Sequence, residues 1–265
     1  MNPNFVLLSL VAVAAGVGLF FVLQTMDSED EGHFVLILEA LIEADDANPE
    51  ATLNRLIEAY QQRFAALELE GIALFIRENQ NIEVQVPFDA DLGQVKTLLL
   101  RPGRLNFHHV VVAGTHPDET LTPNSNAERL ARDAEGIPYL LLVVPLLSGN
   151  LIEMAEVAEV PSGFSIELHF NNEGATGFAE VVADLNEGDR MAIVLDDLVL
   201  TAPSITPSIQ QLANDQGTIP TVVVTGQFTE AQANEIILLL NLNVLPVDVV
   251  LLSENIVMPE TEEAL

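Results

Sequence analysis

The stretch FSIELHFNNEGATGFAEVVADLNEGDRMAIVLDDLVLTAPSI, residues 164–205, decides how the chain is read. Its opening alternates: Phe164, Ile166, Leu168 and Phe170 fall on one side and Ser165, Glu167 and His169 on the other. That is the period of a half-buried strand. Residues 171–188 follow as a helix opened by Asn and closed by Gly. Two apolar runs, RMAIVL and LVLTAP, then flank Asp196 and Asp197. Adjacent acids in an apolar setting can be a catalytic pair, half a metal site or a turn. Consecutive strand residues point to opposite faces, so neighbouring acids rarely converge on one substrate. A two-residue link between β-rich runs is what a tight hairpin needs, and Asp tolerates positive φ better than most residues. The pattern therefore predicts a hairpin turn at Asp196–Asp197, leading on to Ala202 and Pro203, and no enzymatic chemistry there.

The rest of the chain continues the alternation of strands and helices. HFVLILEA (33–40) reads as a strand. Residues 48–67 read as a helix, with Asn48 to cap it, Pro49 in the first turn and apolar residues at threes and fours. Strands are predicted at 72–79, 82–87 and 104–112, with a short helix at 91–103. The order β-α-β-β-α-β is the ferredoxin-like plan. A hydrophilic excursion (113–136) carries a short helical piece near AERLARDAEG. Pro145 makes YLLLVVPLL an edge or broken strand. Further on, TVVVTGQF (221–228) reads as a strand, residues 229–242 as a helix capped by Thr229, and 247–257 as a last strand.

Composition narrows the function. The 265 residues hold 40 acidic and 9 basic side chains, for a net charge of −31, and no cysteine or tryptophan. Such a surface repels nucleic acid, whose binding needs Lys and Arg on phosphates. Without cysteine there is no disulfide framework, thiol nucleophile or cysteine zinc site. His108, His109, His116 and Asp118 are the nearest thing to a metal cluster, but His108 and His109 diverge on a strand. DADLG (89–93) resembles the start of a calcium loop, yet Leu100 stands where its twelfth-position acid belongs. No cofactor or metal is expected.

Phe5 to Leu23 contains no charged residue. As a helix, its 19 residues would span about 28 Å, one hydrocarbon core. The uncharged start and the lack of a small-x-small exit favour an uncleaved anchor over a signal peptide. Phe5, Leu10, Val17, Phe21 and Leu23 mark this predicted membrane helix within residues 1–26. The bulk of the chain is then expected outside, held by a single pass through the cell (inner) membrane.

At this point the sequence resembles a family. Residues 164–205 are similar to the stretch of SecD and fused SecDF preprotein-translocase subunits that reads strand, N-x-E-G-A helix, then A-I-V-L-D-G-x-V-L-S-A-P-x-I. GQFTEAQANEIILLLNLNVLPVDVV resembles that family's G-x-F-T segment with its L-R-x-G-A-L-P end, and LLSGNLI its L-T-G-x-x-L step. RFAALELEGIALFIRENQNIEVQVP resembles R-x-x-x-L-G-V and the strand after it. The resemblance implies a P1 domain, the family's first extracytoplasmic domain, with a ferredoxin-like base and an inserted α+β head. On that basis 33–112 and 226–258 form the base, 113–225 the linker and head, and 259–265 a polar tail. It further implies contact with unfolded preprotein, the Sec channel and SecF-like or other membrane-bundle subunits. The chain stops where the family's second membrane helix begins, so it is expected to act with other chains. The alternative is a stand-alone ferredoxin-like envelope scaffold outside export. Asn241 stands in place of the family's arginine, and Asp197 in place of its turn glycine. The apolar strands at Val110–Val112 and LLLVVPLL could accept an extended peptide at an edge, but internal pairing is the favoured reading.

Overall fold

The computed structural model describes residues 20–21, 32–160 and 163–258. The predicted anchor residues Phe5, Leu10, Val17 and Leu23 lie outside these. Phe20–Phe21 forms a two-residue strand, β1, so the backbone at Phe21 is extended and not helical. It pairs antiparallel with residues 74–75, a ladder that aromatic residues favour. Among the described residues, no helix is long and apolar enough to cross a membrane.

The described residues divide into two compact units, those up to 102 with those from 245 onward, and those within 103–244. Unit 1 contains β2 (His33–Ala40), α1 (Pro49–Ala66), β3 (Ala73–Ile76), β4 (Asn81–Pro87) and α2 (Leu92–Leu100). Alternation along β4 buries Ile82, Val84 and Val86 completely. The helical period of α1 buries Leu53, Leu56, Ile57, Tyr60 and Phe64. Asn48 caps α1 by accepting from Ala51 N–H at 3.1 Å, and Asp91 caps α2 by accepting from Gln94 N–H at 3.1 Å. DADLG is thus a helix start. The polar centre of unit 1 is Arg63, fully buried on α1. Its Nη1 donates to the carbonyls of Leu98 (2.6 Å) and Arg101 (2.7 Å), and its Nη2 to that of Pro102 (2.7 Å). It closes the C-terminal end of α2, where carbonyls lack helical partners and the dipole favours a cation.

Unit 2 contains β5 (Leu105–Ala113), β6 (Glu128–Asp133), β7 (Pro138–Leu142), β8 (Leu147–Ser148), β9 (Ile152–Val160) and β10 (Gly163–Phe170). Then come α3 (Asn172–Asp184), β11 (Met191–Leu195), β12 (Leu198–Thr201), α4 (Pro207–Gln216), β13 (Thr221–Phe228) and α5 (Glu230–Asn241). The chain returns to unit 1 for β14 (Val249–Val257), which pairs antiparallel with β2. The sheet of unit 1 runs β1-β3-β4-β2-β14.

The structure departs from the sequence expectation in three places. Strand 104–112 was predicted to complete the first sheet, but as β5 it pairs with β7, β8 and β11 in unit 2. Its two faces explain this: Leu105 and Phe107 enter one core of unit 2 and Val110 another. β14 takes the position that 104–112 was expected to fill. Helix 229–242 likewise belongs to unit 2, because Ala233, Ile236 and Leu239 bury in its main core. The helical piece near AERLARDAEG is strand β6, held by β7 on one side and, in parallel, by β12 on the other. Tertiary pairing overrides the helix propensity of Glu, Arg, Leu and Ala.

In unit 2 the order β11-β12-β6-β7-β5 closes on itself, because β5 also pairs with β11 from Leu105↔Leu195 to His109↔Met191. The ring holds Val110, Ala131, Tyr139, Leu141, Ala192, Val194, Val199 and Ala202. The alternate residues Met191, Ile193 and Leu195 face outward into the main core with α3, α4, α5 and the sheet β13-β10-β9. β11 is therefore buried on both faces, which its unbroken apolar run demands. α3 is capped by Asn171, which accepts from Gly174 N–H at 2.8 Å. A Cβ on Gly174 would sit 2.7 Å from the Leu151 carbonyl, so the glycine of N-x-E-G-A is a packing requirement.

Candidate functional site

Asp196 and Asp197 form the two-residue turn between Leu195 and Leu198, which pair directly. The positive φ, 56°, falls on Asp196, and Asp197 has none. The Asp196 carboxylate Oδ1 accepts the N–H groups of Gly103 and Arg104 at 2.9 Å each. Its own N–H donates to the Arg104 carbonyl at 2.7 Å. Asp197 is exposed and meets Arg129 Nη1 at 3.2 Å. One acid is turned into the fold and the other toward solvent, so they do not converge. Ala202 is buried, and its carbonyl accepts Arg190 Nε at 2.8 Å. The Pro203 carbonyl accepts Met191 N–H at 3.1 Å. All four motif residues thus build the ring.

The histidines separate as the strand requires. His108 is buried, with Nδ1–H donating to the Leu142 carbonyl at 2.8 Å and Nε2 accepting from Arg129 Nη2 at 3.3 Å. His109 lies 3.7 Å from Asp189, and His116 pairs with Asp118 at 3.5 Å on an exposed loop. Burial, with Arg129 beside it, pushes the His108 pKa below its ordinary 6.5, despite the Leu142 carbonyl's opposing effect. Unfolding then takes up a proton, so this contribution is complete above about pH 6.5 and is lost as pH falls below it. We expect the urea midpoint of unit 2 to fall between pH 7.5 and 5.5, and His108→Gln to flatten that slope. An unchanged slope in the variant would remove His108 as its source.

A cleft of about 920 Å³ opens where α5 ends. Ile152, Glu153 and Met154 of β9 form one wall, Leu240 to Val244 another, and His169, Phe170, Pro220 and Thr221 the floor. Asn241 fixes two walls together: its Oδ1 accepts Ala155 N–H and its Nδ2 donates to the Ala155 carbonyl, both at 2.9 Å. The carboxamide takes the place of a neighbouring strand on the edge of β9. Residue reading missed β9 and its cleft. The available signal was Asn241 itself, an amide at a position where arginine could not accept the Ala155 N–H.

The family profile described as "SecDF, P1 head subdomain" matches residues 125–247. The chain is 29% identical over 238 residues to protein translocase subunit SecD of Rhodobacter capsulatus, covering 88% of this chain and 41% of that protein. It is 29% identical over 217 residues to the SecD of Rickettsia typhi, covering 78% and 39% respectively. The chain therefore spans about two fifths of the length of these relatives. A solved structure of SecDF, described as a membrane component that enhances protein export, superposes with TM-score 0.58 at 25% identity over 83% of this chain and 98% of that one. SecDF in its super-membrane-facing form gives TM-score 0.62 over 89% of this chain and 32% of that one, and at 24% identity supports the fold alone.

Proposed function

We propose that the chain is a P1 domain of the SecD family: a membrane-anchored, extracytoplasmic module that binds emerging preprotein and assists its translocation with the Sec channel. The observation that carries this reading is collinearity: similarity to a SecD runs through 88% of the chain, with a head profile in its second half. Unit 1 is read as the base and unit 2 as the head. The order β3-β4-β2-β14, with α1 and α2 between strands, supports a ferredoxin-like base. The apolar segment that starts at Phe5 and runs up to the extended Phe20–Phe21 is read as the single-pass anchor, and SecF-like or other membrane-bundle subunits as neighbours. The role is one of binding, which suits motif acids that serve a turn.

Site-specific photocrosslinkers at exposed positions within residues 137–225 test it during export of a stalled preprotein. Crosslinks to the preprotein are expected from unit 2. Capture only of lipid, or of further copies of this chain, would sink the export role and leave a scaffold.

A further inference from the structure

We propose that the cleft at the end of α5 binds extended polypeptide segments bearing basic and apolar side chains, and that Asn241 positions its walls. This rests on the export reading and assigns a contact for the emerging chain within unit 2. About 920 Å³ is within the range of binding clefts. Its lining holds Glu153 but no lysine or arginine. Beside it, Glu156 and Glu167 face each other directly across the β9–β10 pair, where like charges are destabilising. His169 Nε2 lies between them, 3.9 Å from Glu156 and 3.6 Å from Glu167. A cationic side chain laid over this face relieves the repulsion, whereas an anionic ligand meets carboxylates and a chain of net charge −31.

The remaining lining suits a peptide. Met154 and Val244 expose 41% and 47% of their surface, which offers apolar seats. Asn150 brings a carboxamide, which both donates and accepts, as peptide groups do. Asn241 ties Ala155 to the end of α5 through a paired amide. The wall carrying Glu153 and Met154 is thereby held at a fixed distance from Leu240.

The test uses the full chain and a fluorescent synthetic peptide of alternating lysine and leucine, with a glutamate–leucine peptide as comparison, at about 0.15 M salt, where long-range attraction is screened. The lysine peptide is expected to bind and the glutamate peptide not to. Glu153→Lys should weaken binding about tenfold, a change of about 1.4 kcal/mol. Glu58→Lys, on an exposed part of α1 and outside the cleft lining, makes the same change of net charge and should change binding less than about twofold. Asn241→Ala should weaken binding and quicken exchange of the Ala155 amide, and Asn241→Gln, which keeps the carboxamide, should recover part of the affinity. Equal effects of Glu153→Lys and Glu58→Lys would reduce the binding to bulk charge and overturn the site. So would absence of lysine-peptide binding. Preprotein crosslinks elsewhere on unit 2, with an empty cleft, would leave the export reading standing and remove this one.

Discussion

Replacing Arg63 with alanine is expected to destabilise unit 1 by about 3–5 kcal/mol, from buried carbonyls that lose their donor and from the loss of a large packed side chain. The guanidinium is fully buried. It serves the carbonyls of Leu98, Arg101 and Pro102 at 2.6–2.7 Å. Alanine takes this donor from the Leu98 and Arg101 carbonyls, while the Pro102 carbonyl keeps the Leu245 N–H at 3.0 Å, and it opens a cavity beside Tyr60 and Phe64 on the same helix face. Arg63→Lys is not conservative here. An ammonium is a point donor on a flexible stem and cannot reproduce a planar fork spread over three carbonyls. It should fall between wild type and alanine. Tyr60 and Tyr139 are the only tyrosines, and tryptophan is absent. In a Tyr139→Phe background, Tyr60 fluorescence therefore reports unit 1 alone during urea unfolding. A loss below about 1 kcal/mol, the size of an ordinary hydrogen bond, would mean that water reaches the carbonyls once the arginine is gone.

The elements that local pattern could deliver were those whose pattern matched one period. β4 alternates strictly, α1 repeats at threes and fours between Asn48 and Leu67, and β13 begins and ends where TVVVTGQF does. α4 went unread, although Thr206, Pro207 and Gly217 mark its two ends, because only Ala213 on it is fully buried and its apolar stripe is thin. β9 was hidden by Glu153, Glu156 and Glu159, a spacing of three that fits neither strand nor helix. Only pairing with β10 turns Ala155 into the core and leaves Met154, Glu156 and Val157 exposed. The fate of β5 was beyond any local rule. Its partners β7 and β11 lie far along the chain, and its burial on both faces appears only when the ring closes.

The same distance separates what was legible in the turn from what was not. A two-residue hairpin at Asp196–Asp197 could be read from spacing, but not which acid bears the strain, nor that Asp196 reaches back across 93 residues to Gly103. Asp196→Ala is therefore expected to cost unit 2 about 2–4 kcal/mol. Two hydrogen bonds to a charged acceptor contribute most of this, and placing alanine at a φ of 56° adds about 1 kcal/mol. Asp196→Asn retains an oxygen for Gly103 and Arg104 and a residue that accepts positive φ, so it should lose less than half as much. Asp197→Gly should be close to neutral, because Asp197 is exposed, has no positive φ, and loses only a surface contact to Arg129. A glycine at the second turn position therefore relieves no strain in this chain, and aspartate can stand there freely. Tyr139 fluorescence in a Tyr60→Phe background follows unit 2 through urea unfolding. If Asp197→Gly stabilised the unit while Asp196→Ala left it unchanged, the strain would lie at the second position and the anchor to Gly103 and Arg104 would carry no weight. With the order expected here, the first aspartate holds the ring closed at the chain's arrival from α2, and the second is free to meet Arg129, the same arginine that His108 accepts from.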